Sequence, residues 1–122
     1  MIPCSAAQAT DRTLRPWGWF ETLSDVPGHK VKRIRVLPGQ QISLQKHRRR
    51  AEHWVVVLGR ARISIGATAV DLGVGQHVDI ALGEAHRLAN LTQDPLEIVE
   101  VQFGDYLGED DIERLSDDYG RT

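Results

Sequence analysis

The apolar residues of this chain come in short runs rich in Val and Ile, set apart by glycine or proline. From Val31, the segment VKRIRVLPG alternates apolar and polar positions and breaks at Pro38-Gly39, which predicts a strand ending in a turn. Gln41 to His47 predicts a second strand, and Glu52 to Leu58 a third, closed by Gly59. Ala61 to Ile65 and Thr68 to Leu72, either side of Gly66, predict a hairpin. Gln76 to Ile80 is bounded by Gly75 and Gly83, and two further strands follow at His86 to Asn90 and Leu96 to Phe103. About eight short strands at regular spacing predict an all-β sandwich or barrel. The tail YLGEDDIERLSDDYGR reads differently: its acidic stretch predicts a short capped helix near Glu109 to Leu115.

With 122 residues the chain is expected to form one domain over 15–122, preceded by a loosely ordered N-terminus over 1–14. Fifteen Lys and Arg against seventeen Asp and Glu leave a formal charge of −2, so the composition makes no electrostatic case for nucleic acid or membrane as a partner. No run approaches the ~18 apolar residues of a membrane span. One cysteine, Cys4, rules out an intrachain disulfide, and MIPCSAAQATDR has neither a basic start nor a long apolar stretch. These features predict a cytoplasmic protein. Twelve of the fifteen basic residues are arginine, a side chain suited to bidentate capture of phosphate or carboxylate, although genome composition produces the same bias.

The segment QKHRRRAEHWVVVLG, Gln45 to Gly59, concentrates the candidate chemistry. Gln45 and His47 are two apart and share a face if the segment is a strand; Glu52 returns a carboxylate at the start of the next strand. His86 opens another strand after Gly83. Together the four offer an amide oxygen, two imidazoles and a carboxylate to a divalent ion, with positions left for substrate. Singly, each is more often a structural or solvated residue. His29, His53 and His77 are read in that way, with His53 facing away from Glu52 by strand alternation.

The joint spacing resembles the cupin superfamily. Gly39, five residues, Gln45-Lys46-His47, four residues, Glu52, six residues and Gly59 are similar to the first cupin motif, with Gln45 in place of its usual first histidine. Gly75, five residues, Ala81-Leu82-Gly83, two residues, His86, three residues and Asn90 are similar to the second, with Ala81 where proline is usual. RPWGWFE, KVKRIRVLPG, SLQKH, RAEHWVVVLG, AHRLAN, LEIVEVQFGDYLGEDDI and DDYGR resemble, more closely, the type II phosphomannose isomerase cupin. That module forms the C-terminal part of bifunctional mannose-1-phosphate guanylyltransferases and also occurs alone. The resemblance implies a double-stranded β-helix (jelly-roll) barrel, and the sequence has no Gly-rich nucleotide loop for the transferase reaction.

The resemblance also implies interconversion of mannose 6-phosphate and fructose 6-phosphate at one divalent metal ion (Zn, Mn, Co or Ni) held by Gln45, His47, Glu52 and His86. Its substrate is a small sugar phosphate, and a homodimer is expected. Arg50, Lys30, Arg114 and Arg121 are the candidates for binding the phosphate; Arg50, Lys32 and Glu52 are the candidates for catalysis, and Asp118 is a further possible base. Trp17 and Trp19 are expected either to pack the barrel or to stack on the sugar. Where the family continues with histidines, this chain has Arg48 and Arg49. That departure keeps open an alternative, a non-catalytic cupin that binds a sugar phosphate or nucleotide sugar. An oxygenase wants mostly imidazole ligands, which Gln45 argues against, and KHRRR lacks the aromatic platform of a single-strand nucleic-acid site.

Overall fold

The computed structural model describes residues 11–120, and every described element is a β-strand. The strands are β1 (Thr13–Arg15), β2 (Gly18–Val26), β3 (His29–Val36), β4 (Leu44–Lys46), β5 (Arg50–Leu58), β6 (Ala61–Ile65), β7 (Thr68–Leu72), β8 (His77–Ile80), β9 (His86–Ala89), β10 (Leu96–Gly104) and β11 (Glu113–Ser116). They form two antiparallel sheets: six strands in the order β1-β2-β3-β10-β5-β8, and five in the order β11-β4-β9-β6-β7. Non-sequential neighbours in both sheets give the jelly-roll arrangement expected from the sequence. Gly59, which closes β5, adopts a positive φ of 77° and sits where a Cβ would fall on the Pro95 carbonyl, so the turn into β6 requires glycine.

Strand alternation explains the interior. The inward rows of the central strands are Lys30, Lys32, Ile34 and Val36 on β3; Arg50, Glu52, Trp54 and Val56 on β5; and Leu96, Ile98, Glu100 and Gln102 on β10. Register places like with like. Ile98 lies opposite Ile34 and Val56, Glu100 opposite Lys32 and Trp54, and Gln102 opposite Lys30 and Glu52. One end of the barrel is therefore apolar, closed by Ile63, Leu88 and Ile42 from the facing side. The other is lined with charge.

Several expectations are corrected. No helix occurs among the described residues: Glu109–Asp110 is a turn, and Glu113–Ser116 is a strand laid on the edge of β4. The acidic side chains that resemble a helix cap are committed elsewhere, Glu109 to Lys32 and Asp111 to the backbone N–H groups of Arg48 and Arg49. The strand expected over Gln41 to His47 is reduced to Leu44–Lys46, with Gln41 making only an isolated bridge to Ala89. Of the N-terminal segment expected to be loose, residues 1–10 lie outside the described residues, while Thr13 and Leu14 belong to β1. None of the described residues form a helix able to cross a membrane.

Candidate metal centre and active site

At the polar end, strands from both sheets converge. His47, just past β4, Glu52 on β5 and His86 at the start of β9 each offer a ligand atom within 4.8 Å of the others. All three are buried, at 3%, 2% and 1% exposure. His47 Nε2 lies 3.2 Å from Glu52 Oε2, and His86 Nε2 lies 3.8 Å from Glu52 Oε1. The two imidazoles are oriented alike. His47 Nδ1 is 2.6 Å from the Asp111 carbonyl and His86 Nδ1 is 2.8 Å from the Glu84 carbonyl. A carbonyl only accepts, so both rings carry the proton on Nδ1 and turn the Nε2 lone pair toward Glu52.

Electrostatics agree with that tautomer. Burial, helped by the charge of Arg50, lowers the His47 pKa to about 4, and burial also lowers that of His86. Both rings are thus neutral at pH 7, as ligation requires. His86 Nε2 is buried without a hydrogen-bond partner, an expensive arrangement for a lone pair unless a cation receives it. The donor set fits a divalent ion: two imidazole nitrogens and a carboxylate, with Gln45 directly opposite His86 in the β4–β9 pairing and on the wall of the same cavity.

A cationic and carboxylate lining surrounds this centre. Arg50 is buried; its Nε donates to Glu52 Oε2 at 2.7 Å, its Nη2 lies 3.2 Å from His47 Nε2, and its Nη1 has no hydrogen-bond partner. Trp54 Nε1 donates to both Glu52 Oε1 and Glu100 Oε2, at 2.9 and 3.1 Å. Gln102 Nε2 donates to the other Glu100 oxygen at 2.6 Å. Burial, and then the charge of Glu52, push the Glu100 carboxyl up to about 7. Lys32 faces the same cavity, as do Trp17, Phe20 and Arg114.

A family model described as "Mannose-6-phosphate isomerase C-terminal" matches residues 4–117. The chain belongs to this family. It is 49% identical over 111 residues to the xanthan biosynthesis protein XanB of Xanthomonas campestris pv. campestris, covering 91% of this chain and 24% of that protein. It is 46% identical over 108 residues to the mannose-1-phosphate guanylyltransferase ManC of Salmonella typhimurium, covering 88% and 22%. The chain therefore spans about a quarter of the length of these curated relatives. Among solved structures, Bacillus subtilis oxalate decarboxylase superposes with a TM-score of 0.77 at 22% identity, over 87% of this chain and 30% of that one. This likeness establishes the shared fold alone.

Most of the residues singled out in this isomerase-family sequence meet at the cavity. Gln45, His47, Arg50, Glu52, Lys32 and Arg114 line it, and His86 completes the ligand cluster behind it. Lys30 is buried beside it, reaching the Leu107 carbonyl at 2.6 Å. Arg121 lies outside the described residues. Asp118 instead accepts from Gln41 at 2.6 Å and is no part of the cavity wall. The tryptophans divide: Trp17 lines the cavity, while Trp19 lies under the guanidinium of Arg12, 4.0 Å from its ring centre. His53 faces outward, as alternation requires, and pairs with Asp79 at 2.6 Å.

Of the departures from the family pattern, Gln45 lines the cavity, whereas Arg48, Arg49 and Ala81 lie outside it. Arg48 pairs with Glu113 at 3.5 Å and Arg49 with Asp105 at 3.1 Å, both exposed and neither lining the site. The turn at Ala81, where proline is usual, is closed by Glu84, whose side chain accepts from the Ala81 N–H at 3.1 Å and whose own N–H donates back to the Ala81 carbonyl. Three residues escaped the sequence reading: Glu100, Gln102 and Glu109. The first two continue the two-residue period of Leu96 and Ile98, a period that by itself does not say which phase faces inward.

Proposed function

We propose that this domain is a metal-dependent aldose–ketose isomerase that interconverts mannose 6-phosphate and fructose 6-phosphate. The observation that carries the proposal is the pair of buried, neutral imidazoles whose Nε2 atoms face one carboxylate at the floor of a cation-lined cavity. Membership of a family described by mannose-6-phosphate isomerase supplies the substrate class. Gln45, His47, Glu52 and His86 would hold one divalent ion, and Zn, Mn, Co and Ni all accept such a set. When bound, the ion supplies Lewis acidity to substrate oxygens that gather negative charge.

The chain's own residues do the rest. Arg50 Nη1 is a buried donor with no protein partner, available to an oxygen of the sugar. Glu52 is committed to Arg50 and Trp54 on one side and faces the imidazoles on the other, which suits it to hold the ion. Lys32, Lys30 and Arg114 bring positive charge for the phosphate, which lies several atoms from the reacting carbons and orients the sugar through its own binding energy. Trp17 and Phe20 supply apolar wall, limiting water around the reacting atoms.

The test is a coupled assay for fructose 6-phosphate formed from mannose 6-phosphate by metal-loaded protein. Turnover lost on chelation and in His86→Ala is the expected result. Tight sugar-phosphate binding without turnover would instead support a non-catalytic binding domain.

A further inference from the structure

We infer that Lys30 and Lys32 form the subsite for the substrate phosphate, and that Glu109 is an internal occupant of that subsite which the phosphate must replace. The inference rests on the sugar-phosphate reading above and adds to it a gate.

Lys30 and Lys32 both point inward from β3, and their side chains are only 8% and 5% exposed. Burying two ammonium groups side by side is costly unless anions meet them. Both converge on a single oxygen: Glu109 Oε2 lies 2.6 Å from Lys32 Nζ and 3.3 Å from Lys30 Nζ. The remaining contacts are weaker or uncharged. Asp25 is 4.0 Å from Lys30 and exposed, the Leu107 carbonyl accepts from Lys30, and Lys32 lies 4.2 Å from the centre of the Phe20 ring. Glu100 stands opposite Lys32 in the neighbouring strand, but its two oxygens accept from Trp54 Nε1 and Gln102 Nε2. Two cations thus share one carboxylate, and a phosphate monoester, with about two negative charges and three terminal oxygens, answers them better.

Glu109 is built to leave. It belongs to no strand, its side chain is 54% exposed, and it can turn outward without unpacking the core. Burial pushes its carboxyl up, but Lys32, through its charge and hydrogen bond, together with the charges of Arg50 and Lys30, holds it below the ordinary range. The segment carrying it is anchored independently. Asp111 accepts the backbone N–H groups of Arg48 and Arg49 at 3.0 and 2.9 Å, and its carbonyl receives His47 Nδ1. Glu109 can therefore exchange while Asp111 keeps the metal-ligand histidine in place. Lys32 and Glu109 both line the cavity that contains Gln45, His47 and Glu52, so a phosphate at Lys32 belongs to a molecule that also reaches the ligand cluster, with Lys30 approaching from the neighbouring cavity walled by Asp25 and Leu107.

Inorganic phosphate is the probe, titrated calorimetrically into the full chain with and without a chelator. Glu109→Gln, which removes the competing charge and keeps the shape, is expected to bind phosphate roughly five- to tenfold more tightly than wild type. Lys32→Met should lose that binding in both backgrounds. Thermal unfolding provides a second reading: phosphate should raise the Tm of Glu109→Gln more steeply than that of wild type. Unchanged or weaker phosphate binding by Glu109→Gln would overturn the inference, as would phosphate binding that survives Lys32→Met. Because phosphate binding needs no turnover, a chain that shows the Glu109 effect but no isomerisation would sink the isomerase reading and leave this one standing.

Discussion

His47 and His86 use the same device twice: a backbone carbonyl holds Nδ1, burial keeps the ring neutral, and Nε2 is turned inward. Around them the charges are set by neighbours. Glu100 has a folded-state pKa of about 7 against an ordinary 4.5, so its contribution to stability is greatest below pH 4.5 and is lost as pH rises through 7. His47 has the opposite sign: its pKa of about 4 lies below the ordinary 6.5, and its contribution is lost as pH falls from 6.5 through 4. In chelator-treated protein, Glu100→Gln should match wild-type Tm near pH 4, exceed it increasingly as pH rises toward 7, and level off above that. A Tm difference that stays constant with pH would show that Glu100 does not titrate in this way. Arg48→His with Arg49→His, restoring the family's imidazoles, should leave kcat and KM within about twofold, because both side chains lie on the surface outside the cavity. The ligand residues were legible because motif spacing fixes them. Glu109 was not, since its role depends on lysines nearly eighty positions away in sequence meeting it across the barrel.

At the scale of elements, β10 joins core and site. It pairs along its length with β3 and β5, placing Leu96 and Ile98 in the apolar end and Glu100 and Gln102 in the polar one. Gly104 at its end packs where any Cβ would fall on the Arg49 carbonyl, which lets β10 run close beside the entry to β5. Ile98→Ala, at a fully buried position, should cost about 2–4 kcal/mol in urea unfolding, because the facing strands cannot close the cavity. A loss below about 1 kcal/mol would mean that this part of the core is loosely packed. Strands β3 and β5 to β10 were legible in alternation and glycine punctuation. The segment LEIVEVQF looked like a strand but did not disclose its inward face: period two offers two phases, and only register with β3 and β5 chooses between them. The tail was misread for a related reason. Helix capping is a local signal, while β11 exists because β4 has an edge to cover.

For the whole molecule, the jelly roll brings β4 and β9 of one sheet against β5 of the other, so the ligand set can only form once both sheets have closed. Neither sheet order nor the division into a dry and a charged end was readable from periodicity. Family resemblance supplied the first, and register the second. The account depends on one cation shared by side chains from both sheets. Equilibrium dialysis against a divalent ion such as Mn or Zn, followed by quantification of bound metal, tests this most directly. One ion per chain is predicted, with affinity reduced at least tenfold in His86→Ala and unchanged in His53→Ala, whose imidazole faces outward toward Asp79. No stoichiometric binding, or binding that survives His86→Ala but not His53→Ala, would contradict it.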